Sequence, residues 1–168
     1  YTAPTMHAFY LVMGDTLLVS VTNFFVFFAL TFWLYLETKS VLATSILGGS
    51  FTVVSSFIGF WLGSIVDHHK KKTAMLVSSI TTLIMFSAAL AFLVSQPAEA
   101  FESVAHPQVW LIGAMLLIGI VAGNIRMIAL PTLVTLLIPE NERDKANGMS
   151  GMVMGISSSG AGILSGLA

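Results

Sequence analysis

The sequence consists mainly of long apolar runs separated by short polar connections. The runs cover about residues 8–36, 41–66, 73–95, 109–131 and 146–168. A helix needs roughly 18 to 20 apolar residues to cross a bilayer, so each run is predicted to be a transmembrane helix. The first run is longer than the roughly 7 to 15-residue core of a signal peptide, and it is predicted to be retained. We therefore expect an all-α integral membrane protein.

The composition agrees with this prediction. Hydrophobic residues make up 56% of the chain and charged residues only 9%, whereas a soluble domain carries about 25% charged residues. The absence of cysteine from the sequence excludes a disulfide framework and thiolate metal sites. A net charge of -1 gives no indication of nucleic-acid binding. No phosphate-binding Gly-x-x-x-x-Gly-Lys-Ser/Thr motif occurs, so ATP drive within this chain is not expected. No cofactor is expected, and no metal either, because His68 and His69 are adjacent in a loop without further suitably spaced ligands.

Basic residues predict the orientation of the chain. Two loops, residues 67–72 and 138–146, are expected on the cytoplasmic side, since they hold five basic residues and the opposite connections hold only Lys39. The five are Lys70, Lys71, Lys72, Arg143 and Lys145. The sequence therefore predicts a multi-pass protein of the plasma or inner membrane with a cytoplasmic N-terminus.

Two charged residues fall inside predicted spans, Asp15 in the first and Arg126 in the fourth. Each charge is costly in the hydrocarbon region, and the two are expected at similar depth in the cytoplasmic half. An ion pair would lower both costs, and protonation of Asp15 would then release Arg126, which makes the pair a candidate proton-coupling switch. Three alternatives stay open: Asp15 at the membrane interface, a static pair that fixes packing, and an Arg126 side chain that reaches the headgroups.

Other intramembrane features are candidates for binding or packing. Asn23 and Asn124 would hydrogen-bond either a substrate or a neighbouring helix. Small residues recur every four positions at Ser55, Gly59 and Gly63, which favours close helix packing. Pro131 is predicted to break or kink the fourth helix, because proline removes a backbone donor. Aromatic residues of the first span would line a cavity or face lipid, with the last two at the outer interface: Phe24, Phe25, Phe27, Phe28, Phe32, Trp33 and Tyr35.

The loop between the second and third runs resembles a signature of the major facilitator superfamily, Gly-x-Leu-Ala-Asp-Arg-x-Gly-Arg-Lys/Arg-Lys/Arg. Gly63, Asp67, Lys71 and Lys72 match it in position, whereas His68 replaces the first basic residue and Lys70 the second glycine. We interpret the matching residues as a cytoplasmic gating motif, in which the Asp67 carboxylate caps the third helix and attracts basic side chains. The alternative for the lysines is that they only orient the chain.

A second stretch narrows the resemblance. Residues 124–131 and 137–148 look like the connection between the fourth and fifth helices in the macrolide-efflux-like and enterobactin-exporter-like branch of drug/proton antiporters. Gly162 and Gly166 have the spacing of the antiporter signature Gly-Pro-x-x-Gly-Gly, but Ile163 and Leu167 replace its proline and last glycine.

The resemblance implies a secondary transporter of twelve helices in two halves, with substrate bound between the halves. This chain would be an incomplete N-terminal six-helix bundle that contributes five helices. Its partners would be protons, the lipid bilayer, the missing C-terminal half and a small-molecule substrate such as a drug, macrolide or siderophore. Two alternatives are a truncated membrane protein that acts through helix association and an intramembrane enzyme. The enzyme is disfavoured because Gly155 to Gly160 lacks the Gly-x-Ser-x-Gly nucleophile pattern.

Overall fold

All of the regular structure in the chain is helical where the structure describes it. The computed structural model describes residues 3–68 and 70–167. It contains five long helices: α1 (Ala3–Thr38), α2 (Val41–His68), α3 (Lys71–Ser95), α4 (Pro107–Leu137) and α5 (Arg143–Leu167). Short 3-10 turns at Ala98–Phe101 and Glu140–Glu142 lie before α4 and α5. The predicted all-α fold is confirmed.

Four of these helices are long and apolar enough to cross a membrane, and the candidate spans are His7–Thr38, Val41–Ser64, Lys71–Ser95 and Pro107–Leu137. The fifth helix, α5, is not among them although it has 25 residues. Eleven of those 25 residues are glycine or serine, which lowers its apolar content. Helix α5 is nevertheless part of the bundle, because it packs extensively against α1.

Helix α4 is the centre of the bundle and packs against each of the other four long helices. Its most extensive contact is with α3, and the α2–α3 contact is small although a two-residue connection joins them. Gly119 allows the close approach, because a Cβ there would lie 2.6 Å from Cε1 of Phe86. Ser78 and Thr82 of α3 donate hydrogen bonds of 2.6 and 2.8 Å to the Ala122 and Gly119 carbonyls. Small residues and interhelical hydrogen bonds of this kind drive helix association in lipid.

Two apolar clusters hold the opposite ends of the bundle together. At one end, Leu30 and Leu34 of α1 pack with Phe101 and the first turns of α2 and α4. At the other end, Phe9 and Met13 of α1 pack against successive turns of α4 and the start of α5. The other members of this second cluster are Leu130 and Val134 of α4, Ile138 directly after α4, and Ala146 of α5. Asp15, Ser20 and Asn23 of α1 therefore lie between two apolar clusters.

Helix α4 continues through Pro131 and ends at Leu137, so the prediction that it ends at residue 131 is wrong. Proline in a helix interior costs about 3 kcal/mol, because a hydrogen bond is lost and the ring meets the preceding turn. The turns on both sides of Pro131 are anchored by packing: Leu130 and Val134 are 3% and 1% exposed. Van der Waals packing of these two side chains against Phe9 and Met13 of α1 helps to offset the loss.

The loops are also shorter than predicted. Helix α2 includes Asp67 and His68, and α3 begins at Lys71, so little of the predicted loop 67–72 is irregular. In the second loop, α5 begins at Arg143, three residues before the predicted start at 146. Arg143 explains this tightening, since its Nε donates to the Ile138 carbonyl at 3.2 Å and its Nη2 to the Thr135 carbonyl at 3.0 Å. A basic side chain on the last carbonyls of α4 stabilises that helix end.

Candidate functional site

The two charged residues of the apolar spans contact each other. Nη1 of Arg126 donates to Oδ2 of Asp15, which joins α4 to α1 as an ion pair. The two side chains differ in exposure: 5% for Arg126 and 55% for Asp15. The interpretation that Arg126 reaches the headgroups is therefore excluded, whereas Asp15 is open to its surroundings.

A third helix also holds Arg126. Its Nη2 donates a 2.7 Å hydrogen bond to Oγ of Ser79 on α3, and that hydroxyl donates to the Met75 carbonyl at 3.1 Å. The Nε of Arg126 is buried without a partner. A buried guanidinium with an unsatisfied donor is costly, so its remaining partners determine where it rests. The arrangement fixes Arg126 between a serine that does not titrate and a carboxylate that does.

Asn23 lies farther along α1, next to α4. Its side chain is 9% exposed, and its amide packs directly on Gly123, where a Cβ would lie 3.0 Å from Asn23 Cγ and closer still to Nδ2. The Oδ1 atom is buried and has no hydrogen-bond partner. Gly123, four residues after Gly119 on α4, therefore makes room for a polar side chain of α1.

A cavity of about 130 Å³ brings Asn23 and Asn124 together. It lies among α1, α2, α4 and α5, and its wall also includes Ser20 and Met127, whose side chains form a 3.6 Å hydrogen bond.

The aromatic residues of the first span lie in two places. Phe24, Phe27 and Phe28 line this cavity. Phe25 and Trp33 line an apolar groove between α1 and α3.

The predicted gating residues lie around the α2–α3 connection. Gly63 and Asp67 fall in the last two turns of α2, and the Asp67 side chain is outside the described part of the structure. Nζ of Lys71 donates to the Val66 carbonyl, which is the same kind of helix-end contact that Arg143 makes on α4. Lys72 is exposed in the first turn of α3.

The two α5 glycines have different surroundings. A Cβ at Gly162 would lie 3.8 Å from Cε2 of Phe28, which is ordinary contact distance, so this position borders α1. A Cβ at Gly166 would meet nothing within 4 Å. Gly162 therefore lies beside a wall residue of the cavity, and Gly166 does not.

Sequence comparison identifies the family. A profile described as the Major Facilitator Superfamily matches residues 3–162, nearly the whole of the 168-residue chain. The chain belongs to the major facilitator superfamily. No curated protein and no solved structure matches the sequence.

Membership of the major facilitator superfamily establishes the general class of the protein. Its members are membrane transporters for small molecules and are normally not enzymes. The predicted family is therefore confirmed, and the chain is a multi-pass membrane protein.

Several residues around the ion pair and the cavity were not predicted from the sequence. Ser79, Phe51, Met127 and Met154 were not selected, although Ser79 contacts Arg126 and the other three line the cavity. Serine and threonine are frequent in these helices and usually bond their own backbone, as Thr16 does to the Val12 carbonyl at 2.7 Å. One sequence feature pointed to Ser79: it lies in the hydroxyl-rich stretch Ser78 to Thr82 of α3. Helix α3 packs against α4, which carries Arg126.

Proposed function

We propose that this chain forms part of a proton-coupled exporter of small amphipathic compounds that works by alternating access. Its place in the superfamily supports transport, and the stretch from Asn124 to Gly148 supports the macrolide-efflux-like and enterobactin-exporter-like branch. Compounds of the drug, macrolide or siderophore type are the proposed substrates. The proposed orientation has the N-terminus and both basic loops in the cytoplasm of a cell with this carrier in its plasma or inner membrane.

The observation that carries proton coupling is the unequal exposure of the Asp15–Arg126 pair. Asp15 is 55% exposed, so the described helices leave its carboxylate open, and we propose that it exchanges a proton with water in the carrier; Arg126 is 5% exposed and keeps its charge. Protonation of Asp15 removes the charge that holds Arg126 toward α1, and the guanidinium keeps its hydrogen bond to Ser79 on α3. A proton would therefore change the attraction between two helices of the bundle.

Such a change suits antiport. In antiport, substrate would bind while Asp15 and Arg126 are both charged. Protonation of Asp15 would then release the substrate, so that substrate and proton compete for binding to the carrier. The cavity with Asn23 and Asn124 lies among the same helices, so a shift of α1 against α4 alters its wall. In carriers of this kind one rigid unit rocks against another around a site near the bilayer midplane.

The gating motif is proposed to act separately at the cytoplasmic end. Asp67 is in the last turn of α2, and α3 begins four residues later at Lys71. The proposed role of its carboxylate is to act on the positive dipole end at the N-terminus of α3. Asp67→Asn is expected to reduce transport while membrane expression stays normal. Unchanged transport would remove Asp67 from gating, and the lysines would then serve orientation alone.

Proteoliposomes that contain the whole carrier, of which this chain forms part, and that have an acidic lumen test the exporter proposal. With the membrane potential clamped, antiport predicts that ethidium or erythromycin accumulates inside as protons leave, and that a protonophore abolishes the accumulation. Protein-free liposomes are the control. Accumulation that ignores the protonophore would contradict proton coupling. If both probes equilibrate as in protein-free liposomes, the protein does not export these compounds, and action through helix association becomes the better account.

A further inference from the structure

Two buried atoms near the ion pair lack hydrogen-bond partners, and one is an acceptor while the other is a donor. Oδ1 of Asn23 on α1 accepts no hydrogen bond, and Nε of Arg126 on α4 donates none. The other two such side-chain atoms in the described part of the chain belong to Ser55 of α2 and to His106, directly before α4. Asn23 and Arg126 therefore carry complementary unused groups on two helices that pack together.

Gly123 brings the two side chains to the same part of α4. The Asn23 amide packs on Gly123, and Arg126 follows three residues later, so both lie on one face of α4. Because side chains of a helix lean toward its N-terminus, the Arg126 side chain starts toward the turn that holds Gly123. Glycine at this position places no side chain between them. Asn23 therefore offers Arg126 an acceptor from α1 that is not in use.

The present partners of Arg126 explain why this acceptor is unused. Nη1 is bonded to Asp15 and Nη2 to Ser79, and in this orientation Nε has no partner. A hydrogen bond from a guanidinium to an ionised carboxylate is stronger than one to a neutral group, so protonation of Asp15 weakens its hold on Nη1. The guanidinium stays charged and buried, and it is then stabilised by a further acceptor such as an amide oxygen.

Asp15 is the titratable partner of Arg126 in the middle of the bundle. On the side of α3, the group that contacts Arg126 is the Ser79 hydroxyl, which does not titrate. Among the described residues of α1, α3, α4 and α5, the other ionisable side chains lie toward the helix ends: His7, Tyr10, Tyr35, Glu37, Lys71, Lys72, Arg143, Asp144 and Lys145. The charge state of Asp15 therefore sets how strongly α1 attracts Arg126 at this point.

We propose that Asn23 is the second acceptor for Arg126: when Asp15 is protonated, Nε of Arg126 donates to Oδ1 of Asn23, and Nη2 keeps its bond to Ser79. The inference rests on the proposed function and deepens it by naming the residue that receives Arg126 in the protonated carrier. The contact between α4 and α1 then moves eight residues along α1, about 12 Å, from Asp15 to Asn23. Asn23 is a positioning residue, because it acts through Arg126.

Proton–nitrogen NMR of arginine side chains in the whole carrier, reconstituted in nanodiscs, tests the exchange, with Asp15→Asn as a permanently neutral form. The Arg126 signal is identified by its loss in Arg126→Lys. In Asp15→Asn, the Nε proton is expected to shift downfield and to exchange with solvent about tenfold more slowly than in the native protein at neutral pH, as one hydrogen bond implies. Asn23→Leu in the Asp15→Asn protein should restore the native signal. Glu37→Gln is the matched control and should leave the native signal unchanged.

Stability gives a second readout, because the same substitution has different effects in two backgrounds. In the native protein, Asn23→Leu keeps a similar volume and removes an acceptor without a partner, so the unfolding equilibrium constant should not rise. In Asp15→Asn, it removes a bond to a guanidinium, and the constant should rise roughly 10- to 100-fold. Denaturant unfolding in detergent measures both. If Asn23→Leu fails to fold, the Nε signals of the native and Asp15→Asn proteins still test the proposal.

Two results would overturn the second acceptor: the same Nε signal in the native and Asp15→Asn proteins, or an equal effect of Asn23→Leu on stability in both backgrounds, as when bound water already pairs with Asn23. Neither measurement needs a gradient or a transported compound. A new Nε bond in Asp15→Asn without proton-driven accumulation by the native carrier would keep the second acceptor and reject the exporter. Accumulation with an unchanged Nε signal would do the reverse.

Discussion

At the scale of single residues, Arg126 organises the polar centre of the bundle. It takes one partner from α1 and one from α3 while it belongs to α4. Ser79 is the partner whose charge state does not change, so it holds Arg126 when Asp15 is protonated. We infer that Ser79 is a positioning residue for the proposed coupling, because it acts through Arg126.

Ser79→Ala tests this role through stability. It removes a hydrogen bond from a guanidinium that already has an unsatisfied Nε, so we expect a loss of about 1–3 kcal/mol in unfolding free energy. The control is Ser56→Ala, since Ser56 is exposed on α2 and bonds its own helix at the Thr52 carbonyl. That change should stay within about 0.5 kcal/mol. Denaturant unfolding in detergent compares the two, and equal stability of both variants would contradict the role of Ser79.

The Asp15–Arg126 contact could be anticipated from sequence and the Ser79 contact could not. Two opposite charges in apolar spans each carry a burial cost, and pairing is a direct way to reduce it. A serine carries little such cost, because it can bond the preceding turn of its own helix, as Ser157 does to the Val153 carbonyl. Only the packing of α3 on α4 selects Ser79 from the other hydroxyl residues.

At the scale of helices, the α3–α4 contact depends on Gly119. A Cβ there would lie 2.6 Å from Phe86 Cε1 and 3.2 Å from Met85 Cβ, so Gly119→Ala must push α3 away from α4. The hydrogen bonds from Ser78 and Thr82 would lengthen as well. We expect a loss of about 1–3 kcal/mol, as for other overpacked contacts.

Gly155→Ala in α5 is the matched control, because a Cβ there would meet nothing within 4 Å. It should leave stability unchanged or raise it by up to about 1 kcal/mol, since alanine is the better helix former. The measurement is the thermal unfolding temperature of the two variants and the native protein in the same detergent. A Gly119→Ala protein as stable as the native one would show that α3 and α4 are not closely packed at this point.

Helix positions could be predicted from apolar runs, but helix ends could not. The runs placed all five helices, yet α4 extends past Pro131 because Leu130 and Val134 are anchored against α1. Likewise, α5 begins early because Arg143 binds the end of α4. Both effects depend on contacts between helices, which the pattern along a single helix does not contain.

At the scale of the whole molecule, the distribution of basic residues predicts which ends of the bundle face the cytoplasm. The chain has no cysteine, so single introduced thiols report sidedness directly. Asn141→Cys lies in an exposed turn before α5, and Glu102→Cys is exposed before α4. In intact cells a membrane-impermeant maleimide should label Glu102→Cys, whereas Asn141→Cys should react only after lysis. The opposite pattern would invert the proposed orientation.

Gradient-driven transport by Asp15→Asn tests most directly whether protonation of Asp15 drives transport, with ethidium as the probe in proteoliposomes that have an acidic lumen and a clamped membrane potential. Glu37→Gln is the matched control, because it removes an exposed carboxylate from the far end of the same helix. We expect Asp15→Asn to lose proton-driven accumulation but still to exchange labelled for unlabelled ethidium, and we expect Glu37→Gln to retain both. Native accumulation by Asp15→Asn would contradict the claim that protonation of Asp15 drives transport.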